Sequence, residues 1–159
     1  MERLGGFIVT LITVFLLAGC GAEQDVGSES GQGAARPEAS AEAPLPDVND
    51  LLASADIKRG KTLFLQCRAC HSLQDGGAHK VGPNLYGMFG REAGAAPGFT
   101  YSDAVVNSGI IWDAASMDQW LARPSDYLPG NRMVFVGIKK PQDRANLIAF
   151  LQQETGAGQ

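Results

Sequence analysis

The chain has 159 residues, 45% of them hydrophobic, and a formal charge of -4, which allows one domain of ordinary size plus appendages. Residues 20–50 hold seven acids against one arginine, whereas residues 51–159 hold nine acids against eleven lysines and arginines. Neither block carries the dense basic patch that nucleic-acid binding needs, so no nucleic-acid partner is expected.

Residues 1–19 open with Arg3 and run through the apolar stretch Phe7 to Leu17, which has the length of a signal peptide and is short for a membrane span. The next residues, Leu17-Ala18-Gly19-Cys20, resemble the bacterial lipobox. That resemblance implies a lipid on Cys20, cleavage before it, and anchoring on the periplasmic side of a membrane; which membrane is left open. More than one acyl chain is needed for stable anchoring, and lipoprotein processing supplies two or three. A plain signal peptide or an uncleaved N-terminal helix is the alternative. Residues 20–50 are rich in Gly, Ala, Ser, Glu and Pro and hold too few large apolar side chains to order themselves. As a flexible coil this stretch would reach roughly 30 Å, and about three times that when pulled straight.

The domain is expected over residues 51–155, with 156–159 as a tail. A helix is predicted from Ser54, with Asp56 in its first turn and Ile57, Gly60, Leu63 and Phe64 on a packing face that leads into Cys67-Arg68-Ala69-Cys70-His71. This C-x-x-C-H string is the attachment signature of c-type haem. On a helical turn, both sulfurs and the imidazole share a face, so the thiols can form thioethers with the two haem vinyl groups while His71 reaches the iron. A thiol-disulfide pair or half of a zinc site would use the same cysteines. The first needs strands around it, which the flanks do not show. The second needs four ligands, and only one cysteine and one histidine stand outside the string. An exported chain also suits haem attachment outside the cytoplasm.

After His71, the glycines and prolines from Gly76 to Gly98 make the stretch mostly loop. A short helix is predicted over Ser102 to Ser108, closed by Gly109. Another follows Asp113 as N-cap, carries Met117, Trp120 and Leu121, and stops before Pro124. The last starts with Pro141 in its first turn and directs Leu147, Ile148, Phe150 and Leu151 to the core.

Residues 55–155 resemble a class I cytochrome c of the mitochondrial type. The likeness is carried by Gly60-Lys61-x-x-Phe64, Gly77-x-His79-Lys80-x-Gly82-Pro83-Asn84-Leu85 and Gly87-x-Phe89-Gly90-Arg91. It continues through Pro97-Gly98-Phe99-Thr100-Tyr101-x-Asp103-Ala104, Gly109-Ile110-x-Trp112, Pro129-Gly130-x-x-Met133-x-Phe135-x-Gly137-Ile138-Lys139-Lys140 and Leu147-Ile148-Ala149-Phe150-Leu151. The resemblance implies an all-α fold of four or five helices round one covalent haem c. Its first and last helices should cross where Gly60 and Phe64 meet Leu147 and Phe150.

For the sixth iron ligand, Met88 follows the histidine too soon in a glycine-rich loop, and Met117 sits on a helix with apolar partners, where core packing is its commoner role. Met133 takes the place of the family's axial methionine; His79 is the rival of another kind, although the family's residue there hydrogen-bonds a loop. The resemblance further implies that the Pro83 carbonyl holds the second nitrogen of His71, and that Arg91, Tyr101 and Trp112 donate to the propionates. Trp120 stands where the family has a tyrosine in the crevice, and Val105 where it has an asparagine, which leaves the pocket less able to hold ordered water.

An iron held by both His71 and Met133 leaves no open site for substrate, so a one-electron carrier is expected rather than an enzyme. A haem enzyme or gas sensor with a labile sixth ligand is the alternative. The carrier is expected as a monomer serving membrane redox complexes, such as a cytochrome bc complex as donor and a terminal oxidase as acceptor, or a photosynthetic centre. Lys80, Arg132, Lys139 and Lys140 are candidate docking charges.

Overall fold

The computed structural model describes residues 47–156; Met1 to Gly19, Cys20 and most of the expected tether lie outside them. Within the described residues, six helices run in the order α1 (Val48–Leu52), α2 (Ile57–Phe64), α3 (Asp103–Val106), α4 (Ala114–Ala122), α5 (Pro124–Tyr127) and α6 (Pro141–Glu154). There is no strand among them, only an isolated bridge between Glu92 and Ile111. The all-α expectation holds, with two short helices more than the sequence marked.

The helix starts follow from local chemistry. Asp56 is the N-cap of α2 rather than part of its first turn, because its carboxylate accepts from the Lys58 and Arg59 amides, which otherwise lack partners. Asp113 and Ser116 form a reciprocal capping box at α4. At α5 and α6 a proline occupies the first turn, where a missing N–H costs nothing and the fixed φ suits a helix.

Helix α1 begins three residues inside the segment that the sequence assigns to the tether. Val48 is buried and Leu51 and Leu52 pack against the core, which drives the turn to form. Gln142 on α6 donates to the Leu51 carbonyl at 3.3 Å. The sequence missed this helix because five residues show too little periodicity. It missed α5 because Pro124 reads first as the stop of α4 and only then as a new start.

The expected crossing of the domain's first and last long helices is the α2–α6 pair. A Cβ on Gly60 would run into the Asn146 carbonyl oxygen and the Phe150 Cβ, so glycine is what lets the two backbones approach. Phe64 and Phe150 stack at 5.6 Å with a 43° tilt. Leu147 and Ile148 are fully buried, and Asn146 Oδ1 accepts from the Asp56 amide at 2.9 Å across the crossing. On the other side of α6, buried Arg144 forms a two-pronged ion pair with Asp118 of α4 at 2.7 and 3.1 Å. Its Nη1 donates to the Ile138 and Lys139 carbonyls. These contacts hold α2, α4 and α6 around one side of a cleft, with the loops 72–102 and 128–140 forming the rest.

Candidate functional site

The C-x-x-C-H string leaves α2 as a run of turns. Cys67 N donates to Phe64 O at 2.8 Å, and the amides of Cys70 and His71 both donate to Cys67 O at 3.0 Å. Both cysteines are free and half-buried. Burial, with the neighbouring Cys70 second, pushes the Cys67 thiol up to about 11. Thiol-disulfide exchange wants the opposite, a depressed thiol, so the redox-cysteine reading loses its chemical basis. Among the described residues no cluster of three or more His, Cys, Asp or Glu is arranged to hold a metal ion, which removes the zinc alternative there.

His71 is set by its surroundings. Nδ1 lies 2.8 Å from the Pro83 carbonyl oxygen. A carbonyl only accepts, so Nδ1 carries the proton and Nε2 keeps a lone pair. Burial first, and the nearby Lys80 charge after it, lower the imidazole's pKa, with the Pro83 bond opposing; the neutral ligand form is favoured. Gly82 lies flat against the ring: a Cβ there would overlap Cε1 and come within 2.8 Å of both nitrogens. Lys80 Nζ ties the turn down by donating to Arg68 O at 2.6 Å and His71 O at 3.3 Å.

These groups open into a cleft of about 730 Å³. All nine residues that the sequence singles out around the haem string line it: Cys67, Cys70, His71, Pro83, Arg91, Tyr101, Trp112, Trp120 and Met133. The walls are apolar, with Phe64, Leu85, Val105, Leu121 and Leu151 among them. Trp112 and Trp120 stand 5.5 Å apart at 59°, and Tyr127 meets Trp120 edge-on at 6.4 Å.

The rivals for the sixth ligand sort by environment. Met88 and Met117 are 4% and 5% exposed and belong to the core cluster, although both reach the cleft wall. Met133 is half-buried on a loop, with its amide held by Asn131 Oδ1 at 2.9 Å. His79 has no lone pair to offer. Its Nδ1 accepts from the Asn84 amide at 2.9 Å, so Nε2 is the donor, to Pro97 O at 2.8 Å. It bridges two loops, as the resemblance implies.

One edge of the cleft is polar. Burial pushes the Tyr101 hydroxyl up, while the Arg91 charge and an Ala96 backbone bond pull it back. Beside it Ser102 Oγ is buried with no hydrogen-bond partner. The sequence marks Ser102 only as the start of a helix, yet its side chain makes no cap bond in α3. A buried orphan hydroxyl costs about 1–3 kcal/mol, which an anionic group in the cleft would relieve. An apolar slot with two thiols and a lone-pair nitrogen at one wall, and donors at one edge, fits haem and its two propionates. Ser102 is the residue that sequence reasoning missed here; no spacing signal distinguishes it from an ordinary N-cap.

A sequence model of the cytochrome c family matches residues 57–155. The chain is 47% identical over 103 residues to a cytochrome c of Chlamydomonas reinhardtii, covering 64% of this chain and 92% of that one. It is 47% identical over 111 residues to a cytochrome c of Theileria parva, covering 69% and 94%. A cytochrome c2 of Rhodomicrobium vannielii is 46% identical over 104 residues, covering 65% of this chain and 83% of its own.

Proposed function

The chain belongs to the cytochrome c family, and on that premise we propose that it is a membrane-tethered one-electron carrier whose haem c is ligated by His71 and Met133. The haem is bonded through Cys67 and Cys70, and the family's members are electron carriers rather than enzymes. What the haem supplies is reversible exchange of one electron at iron. The protein binds it, orients the ligands and keeps water out. Pro83 holds His71 in the tautomer that a metal requires, Gly82 leaves room for the imidazole ring, and Arg91, Tyr101, Trp112 and Ser102, all lining the cleft, would donate to the propionates. Trp120 and Val105 present apolar surface where ordered water would otherwise raise the local polarity and shift the potential.

The observation that carries the reading is the His71 Nδ1–Pro83 contact of 2.8 Å at the wall of the cleft. The tether is supported by the lipobox-like Leu17-Ala18-Gly19-Cys20 and the acidic, core-poor stretch after it. On this reading the carrier works on the periplasmic face of a bacterial membrane, as a monomer moving electrons between complexes such as a cytochrome bc complex and a terminal oxidase. The test has two parts. Cys67→Ser and Cys70→Ser should each lose stable covalent haem on a denaturing gel. In the oxidised parent, a weak sulfur-to-iron absorbance at the red end of the spectrum should vanish in Met133→Ala, which should also bind carbon monoxide when reduced. A parent that already binds carbon monoxide readily would favour the sensor or enzyme alternative instead.

A further inference from the structure

We infer that Asn131 is the positioning residue for Met133, one amide side chain that fixes the ligand-bearing backbone to the end of α5. The inference rests on the reading of Met133 as sixth ligand. Asn131 Nδ2 donates to Pro124 O at 2.9 Å and to Leu128 O at 2.8 Å, while its Oδ1 accepts from Met133 N at 2.9 Å. Both donors and the acceptor of the amide are therefore in use. The reversed amide would set oxygen against two carbonyls, so the network itself assigns the orientation.

This hold acts where nothing regular does. After α5 the chain has no helix until Pro141, and the loop's base is closed by Ile138 N donating to Leu121 O at 2.8 Å. Between those points Met133 is steadied on its N-terminal side by Asn131 and by Arg132, whose Nη2 donates to Thr100 O at 2.8 Å. Val134, next along, is fully exposed and contributes no packing. A thioether is a weak ligand, so its residence on iron depends on how little conformational freedom the loop regains when it lets go. Asn131 removes that freedom. Its loss leaves the α2–α6 core untouched, because none of its three partners belongs to those helices.

The test uses the haem-loaded protein and the variants Asn131→Ala, Asn131→Asp and Met133→Ala. Three quantities are read: hydrogen exchange of the Met133 amide, the temperature at which the red sulfur-to-iron band disappears relative to the far-ultraviolet helix melt, and the rate of carbon monoxide binding to the reduced protein. In Asn131→Ala the Met133 amide should exchange at least about tenfold faster, in line with the loss of a net hydrogen bond and its neighbours. The red band should be lost well before the helices melt, and carbon monoxide should bind roughly tenfold faster than in the parent. Asn131→Asp keeps an acceptor for Met133 N–H but sets a carboxylate oxygen against the Pro124 and Leu128 carbonyls, so the anchor to α5 is lost and the Met133 amide should exchange at least about tenfold faster here too. Unchanged Met133 exchange in Asn131→Ala, with band loss and melt as closely spaced as in the parent, would overturn the inference. Should the alanine variant fail to load haem, parent-like Met133 protection in the aspartate variant would overturn it equally. A parent without the red band, or one that binds carbon monoxide as fast as Met133→Ala, would sink the ligand reading rather than the role of Asn131.

Discussion

Replacing Gly82 by alanine tests how closely the backbone is fitted to the His71 ring. The new methyl carbon would overlap His71 Cε1 and sit 2.8 Å from each ring nitrogen. The ring cannot swing aside without giving up Pro83 O, and the Gly82 backbone cannot retreat without loosening its own 2.9 Å bond to Cys70 O. Overpacking of this kind costs about 1–3 kcal/mol, and one lost hydrogen bond about 1 more. For a domain near 100 residues, a total of about 2–4 kcal/mol lowers Tm by roughly 10–25 °C. Gly76→Ala is the control: it has no neighbour within 4 Å but a φ of +61°, so only backbone strain of about 1 kcal/mol applies. Melts of the haem-loaded proteins by far-ultraviolet circular dichroism would read both. If Gly82→Ala melts within a few degrees of Gly76→Ala and its His71 resonances stay put, the steric reasoning fails.

Other consequences can be measured in the same preparations. Asp118→Ala would strand Arg144, whose side chain is 8% exposed, and should cost about 3–5 kcal/mol, read as a shifted urea midpoint; a loss below about 1 kcal/mol would mean that water reaches the guanidinium. The Arg59 hydrogen bond holds the Asp143 carboxyl below its ordinary value, so the pair stabilises the fold at neutral pH and loses that effect as pH falls through the depressed folded value. Arg59 is about half exposed, 47% against 18% for Asp143, so solvent screens the pair and the gain is small, but Asp143→Asn should flatten the acid limb of a stability-against-pH curve, and an unchanged limb would count against the pair. Cys20→Ser should move the protein from the membrane to the soluble fraction with its visible spectrum intact; continued sedimentation with membranes would favour an uncleaved N-terminal helix.

The haem string is legible from its own spacing, and a glycine set among apolar helix positions implies a close neighbour for α2. The roles expected of Pro83 and Met133 and the α2–α6 crossing come instead from the resemblance to the family. Ser102 and Asn131 could not be found that way. Each is a small polar residue with an ordinary local explanation, a helix cap or a turn, and its role depends on partners that only tertiary contact supplies. Helix α1 was hidden for a related reason: Val48, Leu51 and Leu52 are three apolar residues after a polar stretch, and only the waiting surface of α6 makes them helical.

The Asp56–Asn146 contact, ninety residues apart in the chain, also sets the order of events during folding. Closing a loop of that length costs about 4 kcal/mol of chain entropy before any contact repays it, so docking of α2 on α6 is a slow, non-local step. The walls of the cleft contributed by Phe64, Leu147 and Leu151 do not exist until it is complete. A bulkier residue at position 60 would therefore slow refolding, and would do so more than an equally destabilising change in the loop that carries Met133, which can settle after the two helices have met.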